Sequence, residues 1–241
     1  MGGPSAALAV PHFPRLWASG FLWNLSRWMS VFLCSYLVSR LTGSPLLVQL
    51  VGAAFFAPMF FGGAIGGVIS DRFDRRLTML RQLGALIPVA IAMSVLVLGG
   101  AVRVWMVYPF ILAVGLGGMV DMTSRRALVY DFVGEERATN AFAWESLSMT
   151  GGNMLGNLFG GAIIDLVGMG QAFLAIVVCY AGSFLFLLSV RTPPHHAAGT
   201  RVSIARDMLE GFRFVRRNRT LVSILGMTVL MNAFYFTYTP M

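Results

Sequence analysis

Two charged side chains lie inside long apolar runs of this sequence. Arg27 interrupts the run 16–38, about 17 Å from its start if the run is helical, and Glu145 lies one turn into the run 141–164. A charge at membrane depth is costly and usually faces a cavity or a partner, so both residues are candidates for handling a substrate or a proton. The alternatives are that Arg27 extends its head group to the membrane surface and that Glu145 is interfacial.

The neighbours of both charges recur at helical spacing. An α-helix brings residues i, i+3, i+4 and i+7 to one face. One such face carries Asn24, Arg27, Trp28 and Val31, and another carries Glu145, Ser148, Gly152 and Gly156. The spacing therefore predicts that each charge shares a helix face with these residues.

The elements that hold these residues are predicted to be transmembrane helices. Hydrophobic residues make up 57% of the chain and charged residues 12%, about half the charged fraction of a soluble domain. A span needs about 20 mostly apolar residues, and seven runs qualify: 16–38, 46–69, 78–100, 104–122, 141–164, 171–189 and 220–238. Cys34 and Cys179 both lie inside these runs, where we expect apolar fillers rather than a disulfide. The sequence predicts an all-α integral membrane protein.

The net charge of +8 comes from arginines that are distributed unevenly. If the N-terminus is cytoplasmic, fifteen of the eighteen arginines lie inside, Arg27 lies within a span, and only Arg40 and Arg103 lie outside. Cytoplasmic loops of membrane proteins carry such an excess of positive charge. The charge therefore indicates a membrane topology with a cytoplasmic N-terminus, and no nucleic-acid partner is expected.

A charged motif connects the second and third runs. The residues Gly67-Val68-Ile69-Ser70-Asp71-Arg72-Phe73-Asp74-Arg75-Arg76 resemble the G-x-x-x-D-R-x-G-R-R loop signature of the major facilitator superfamily. Asp74 replaces the second glycine, as in an exporter branch that includes enterobactin and macrolide efflux proteins. The glycine favours close helix packing, and we expect Asp71, rather than Asp74, to meet the positive N-terminus of a helix.

The resemblance implies a conformational switch in this loop. Its expected residues are Gly67, Asp71, Arg72, Arg75, Arg76 and, on the fourth run, Asp121. Asp71 would face a helix of a second bundle, and Asp121 would pair with an arginine of the loop. The alternative for Asp121 is that it lies at the membrane interface in water.

A glycine-rich motif in the fifth run resembles the antiporter signature G-x-x-x-G-P-x-x-G-G. It contains Gly152, Gly156, Asn157, Gly160 and Gly161, with Asn157 where the signature has proline. Small residues four apart give a smooth helix face on which another helix can pack closely. The kink that proline would cause is in doubt here.

The resemblance also implies the architecture. Residues 1–190 are predicted to form a six-helix N-terminal bundle of two inverted three-helix repeats, and residues 220–241 a seventh transmembrane helix. Residues 191–219 are predicted to be a cytoplasmic loop that contains an amphipathic helix or, equally, a solvated charged linker. The layout leads us to expect a missing C-terminal bundle. Because the first and fifth helices of the family border or lie near its central cavity, Asn24, Arg27, Trp28 and Glu145 are the candidate substrate or proton residues.

The expected function is secondary export of a small molecule across a bacterial-type inner membrane, coupled to protons, by alternating access. No catalytic residue, cofactor or metal is expected, because neither an H-E-x-x-H nor a G-x-S-x-G motif is present. A seven-helix photoreceptor is excluded, since retinal needs a lysine and the chain has none. The remaining alternatives are a membrane subunit of another transport system, such as an ATP-driven importer, and a truncated half that does not transport.

Overall fold

The computed structural model describes residues 6–72 and 74–191, together with 223, 226 and 227; of residues 60–72 it describes the backbone only. Five helices are assigned: α1 Phe13–Thr42, α2 Pro45–Arg72, α3 Arg75–Leu98, α4 Val104–Val167 and α5 Met169–Leu188. No strand occurs within those residues. The all-helical prediction is therefore confirmed for the part of the chain that the structure describes.

The chain divides into two compact units, Met1–Ala198 and Gly199–Met241. In the second unit, the described residues 223, 226 and 227 are helical. The amphipathic helix predicted within 191–219 and most of the seventh helix lie outside the described residues. The count of six helices plus one, and the inverted repeats, stay predictions.

Helix α4 changes direction at a glycine. Its 64 residues would measure about 96 Å if straight, roughly three times the thickness of a bilayer's hydrocarbon core. Gly134 interrupts the helical backbone with φ 68° and ψ 177°, a conformation that glycine adopts without the penalty of a Cβ. We name residues 104–133 α4a and residues 135–167 α4b. These segments contain the fourth and fifth predicted runs.

Helix α1 packs against α2, α4 and α5, and its contacts give the direction of its neighbours. Asn24 of α1 contacts Gly152, and Phe32, further along α1, contacts Gly160, so α4b runs parallel to α1. The hydroxyls of Ser19 and Ser183 are 3.1 Å apart and those of Ser30 and Tyr180 are 3.4 Å apart, so α5 runs antiparallel to α1. Helix α1 thus lies against three of the other four helices, parallel to α4b and antiparallel to α5.

Three of the described helices are long and apolar enough to cross a membrane: α3, α4 and α5. Helix α1 falls short on hydropathy because polar residues interrupt it, and five of these are buried: Ser19, Asn24, Ser26, Arg27 and Ser30. Large apolar side chains such as Leu166 and Val178 are exposed instead. This inverted distribution is what a bilayer requires, because lipid solvates apolar side chains while helices enclose the polar ones.

Candidate functional site: a buried charge cluster

The Asp121 carboxylate and the Arg125 guanidinium form a buried ion pair on α4a. Arg125 donates through Nη2 to Oδ1 at 2.7 Å and through Nε to Oδ2 at 3.0 Å, and the two side chains are only 3% and 5% exposed. Arg125 also donates through Nη1 to the Leu16 carbonyl oxygen of α1 at 2.9 Å. This two-pronged geometry is the strongest that an arginine and a carboxylate can make. It ties α4a to α1.

A glycine on α1 makes room for this ion pair. A Cβ at Gly20 would lie 3.1 Å from Nη1 and 3.3 Å from Cζ of Arg125. A side chain larger than hydrogen at position 20 would therefore displace the guanidinium. Gly20 also accepts a hydrogen bond at its carbonyl oxygen from Asn24 Nδ2, at 3.0 Å.

Arg27 lies within the bundle and has no ion pair among those the structure gives for its described residues. The residue is 7% exposed. Its Cζ atom lies 5.2 Å from the Trp28 ring centroid and 6.0 Å from the Phe55 ring centroid. Its Nε atom has no hydrogen-bond partner. The Asp121 carboxylate attracts it electrostatically, but both oxygens of that carboxylate bond Arg125. The Arg27 side chain is therefore enclosed by the helices around it.

Glu145 of α4b is a second carboxylate close enough to this ion pair to interact with it electrostatically. Its charged neighbours on α4a are Arg125, Asp121 and Arg126. Its Oε1 atom is buried and makes no hydrogen bond. We call Arg27, Asp121, Arg125 and Glu145 the charge cluster: three helical segments contribute two positive and two negative groups, and one group of each sign lacks an ion-pair partner there.

Asn24 links this site to α4b. Its Nδ2 atom donates to the Ser148 hydroxyl at 3.3 Å as well as to Gly20, and the side chain is buried. Asn24 therefore holds helices together, and these bonds occupy the amide nitrogen.

The glycines of the fifth run lie directly against α1. A Cβ at Gly152 would lie 2.6 Å from Asn24 Cβ, and one at Gly156 would lie 2.6 Å from the Leu25 carbonyl oxygen. At Gly160 the nearest atom would be a Phe32 ring carbon, at 3.0 Å. We call Gly152, Gly156 and Gly160 the glycine stripe.

The other two residues of that motif do not join the stripe. A Cβ at Gly161 would meet only Phe32, at 3.8 Å, and Asn157 donates to Asn153 Oδ1 at 3.0 Å within its own helix. The helix is not interrupted at Asn157.

The loop signature contributes three residues whose side chains are described, Asp74, Arg75 and Arg76, whereas only the backbone is described at Gly67, Asp71 and Arg72. Asp74 caps α3, since its Oδ1 accepts from the Leu77 backbone N–H at 2.6 Å. The expectation that only Asp71 meets a helix N-terminus is therefore wrong. Aspartate in place of glycine gives α3 an N-cap.

Two arginines of the loop signature bind other partners than Asp121. Arg75 pairs with Asp131 of α4a, and Arg76 donates to the carbonyl oxygens of Leu187 and Leu188 at the end of α5, at 3.2 and 2.8 Å. Asp121 instead bonds Arg125 and is 4% exposed, which contradicts the alternative of a solvated interfacial carboxylate. A pairing of Asp121 with Arg72 lies outside the described side chains and stays a prediction.

A family profile described as transmembrane secretion effector matches residues 2–239. The chain belongs to this family of the major facilitator superfamily. It is a membrane protein of a transporter family and not an enzyme.

Its relatives include named efflux proteins. The chain is 27% identical over 194 residues to the multi-drug resistance efflux pump PmrA of Streptococcus pneumoniae, which covers 79% of this chain and 41% of that protein. It is 25% identical over 199 residues to the enterobactin exporter EntS of Shigella flexneri, covering 79% and 45%. It is 22% identical over 219 residues to the uncharacterized transporter YfiS of Bacillus subtilis, covering 86% and 50%. The chain thus spans half the length of these relatives or less.

Proposed function

We propose that this chain forms one bundle of a secondary exporter of small molecules in a bacterial inner membrane. The observation that carries the proposal is the buried charge cluster. Charges within membrane helices are expensive, and in transporters they lie on substrate and proton pathways. The names of the efflux relatives favour export over import.

Proton coupling is the part of this function that Glu145 supports. Its buried Oε1 atom has no hydrogen-bond donor, and a carboxyl group in such a place can bind and release a proton as its surroundings change. Glu145 lies on α4b and its charged neighbours Asp121 and Arg125 lie on α4a. A movement of one segment relative to the other would therefore change the field that Glu145 experiences.

Alternating access needs two bundles that rock about a shared site. The matched relatives are at least twice as long as the part that this chain covers. The proposed transporter therefore combines this bundle with a second one of the same kind, with the N-terminus cytoplasmic as the arginine distribution indicates. The competing functions are a membrane subunit of another transport system and a half that does not transport.

Reconstitution in liposomes tests this proposal. The 241-residue chain would be inserted at increasing protein-to-lipid ratios, and uptake of ethidium and of carboxyfluorescein would be followed under an imposed pH gradient. We expect uptake only where the chain is at least dimeric, and we expect Glu145→Gln to abolish the gradient dependence. Glu136→Gln, at an exposed position of the same segment, is the matched control.

Two results would contradict the proposal. Absence of gradient-driven uptake of either dye at every ratio would refute the export function. Saturable, gradient-driven uptake by a monomer would refute the need for a second bundle.

A further inference from the structure

Arg27 and Trp28 present two adjacent, buried hydrogen-bond donors that lack acceptors. Arg27 Nε and Trp28 Nε1 both lie below the surface without a partner. Leaving a buried donor unpaired costs free energy, and more when the donor is charged. Donors without acceptors define the chemistry of the group that would complete the site: it must accept hydrogen bonds and carry negative charge.

The surroundings of Arg27 favour an aromatic anion. The centroids of the Trp28 and Phe55 rings lie 5.2 and 6.0 Å from the guanidinium carbon, and the two centroids are 5.8 Å apart. Gly118 lies beside the guanidinium, and a Cβ there would be at ordinary contact distance from Nη1, 3.6 Å. Aromatic faces and an arginine together suit a flat, apolar ring with an acidic substituent.

The charge cluster does not supply that anion itself. Both oxygens of Asp121 bond Arg125, and Glu145, the other carboxylate of the cluster, is not among the groups that act on Arg27. The charges that act on Arg27 from the neighbouring segments are Asp121, Arg125 and the Tyr180 hydroxyl, and neither of the last two provides a carboxylate. No carboxylate of the charge cluster therefore pairs directly with Arg27 in this structure.

We propose that Arg27 and Trp28 form a subsite for the carboxylate of a small aromatic acid. This inference rests on the proposed export function, because it names the chemical class of the exported molecule. A charge-assisted hydrogen bond from Arg27 holds the carboxylate, Trp28 Nε1 donates a second bond, and the Trp28 and Phe55 rings contact the ligand's ring.

Ligand-detected ¹⁹F NMR on the purified 241-residue chain tests this subsite. The probes are 4-fluorobenzoate, 4-fluorobenzyl alcohol and 4-fluorobenzylamine, which share one ring and differ in charge, and empty micelles give the background. We expect the chain to bind 4-fluorobenzoate at least about tenfold more tightly than the alcohol or the amine, the effect of one charge-assisted hydrogen bond. Equal binding of the three probes would overturn the proposal.

Variants assign the preference to these residues. Arg27→Gln should remove the preference for 4-fluorobenzoate, and Trp28→Phe, which keeps the ring and removes the N–H, should weaken it about threefold or more. The matched control is Arg40→Gln, because Arg40 is an exposed arginine of the same helix that also lies over an aromatic ring, 5.8 Å from that of Tyr36. If Trp28→Phe and a folded Arg27→Gln both retain the preference, the subsite is wrong.

Two further comparisons distinguish this subsite from a lipid head-group site and from the proposed export function. If phosphatidylglycerol added to zwitterionic micelles displaces 4-fluorobenzoate, the site takes a lipid head group and the small-molecule assignment is overturned. Binding needs no gradient and no second bundle. A chain that prefers 4-fluorobenzoate but never transports would therefore refute the export function while supporting the subsite.

Discussion

The glycine stripe allows a sharp test of how α1 and α4b are held together. An alanine Cβ at position 156 would lie 2.6 Å from the Leu25 carbonyl oxygen and 3.1 Å from the Met29 backbone nitrogen. These are backbone atoms of α1, so no side chain can rotate away to relieve the contact. Gly156→Ala is therefore expected to push the two helices apart.

Two opposing effects determine the size of the loss. Forcing an extra carbon into a packed contact costs about 1–3 kcal/mol, whereas alanine is better than glycine in a helix interior by up to about 1 kcal/mol. For Gly156→Ala the packing cost dominates, and we expect the free energy of unfolding to fall by about 1–2 kcal/mol. At Gly161 the nearest atom is 3.8 Å from the new carbon, so Gly161→Ala should keep the stability or gain up to about 1 kcal/mol.

The assay is unfolding in mixed detergent micelles by titration with sodium dodecyl sulfate, followed by the helical circular dichroism signal. Each variant adds one methyl group to the same segment, at positions five residues apart. The two variants therefore have the same composition and differ only in where the methyl group lies. If Gly156→Ala and Gly161→Ala unfold with equal free energies, the close approach of the helices at Gly156 is not a source of stability.

Three further predictions concern charges. Asp121→Asn should lower the free energy of unfolding by about 3–5 kcal/mol in the same assay, because it leaves a buried guanidinium unpaired. Asp131→Asn removes a partly exposed ion pair and should lower it by less than about 1 kcal/mol. Similar losses in the two variants would contradict this prediction. Asp74→Ala should cost about 0.5–2 kcal/mol and Asp74→Asn much less, because asparagine also caps a helix; equal losses would refute the capping role. In a chain whose two cysteines are replaced by alanine, a membrane-impermeant thiol reagent applied to intact cells should label Arg103→Cys and spare Glu136→Cys, and the reverse pattern would invert the topology.

The local features of the fold are those that sequence patterns predict well. Long apolar runs predict helices whatever the chain packs against, because a backbone in lipid must satisfy its own hydrogen bonds. The Gly134 turn was not predicted as such, although the charged stretch around it separates the fourth and fifth runs. Only one residue with non-helical dihedrals, Gly134, separates α4a from α4b.

The residue that sequence reasoning missed in the charge cluster is Arg125. It was counted as one of the cytoplasmic arginines, because it lies three residues beyond the predicted end of the fourth run. Its spacing of i, i+4 from Asp121 was the available signal, since residues four apart on a helix can pair. Burial of that pair could not be inferred, because it depends on Gly20 of another helix leaving room for the guanidinium.

The meeting of Arg125 with Arg27 and Glu145 depends on helix packing that no local pattern encodes. Asn24 connects the glycine stripe to the region of Glu145. Its Cβ packs against Gly152, and its amide nitrogen donates to the Ser148 hydroxyl, one turn beyond Glu145. The glycine stripe thus sets how near α4b comes to α1, and Asn24 joins that contact to the turn of α4b that carries Glu145. The packing motif and the candidate proton residue are consequently parts of one structure, although they were identified from separate patterns in the sequence.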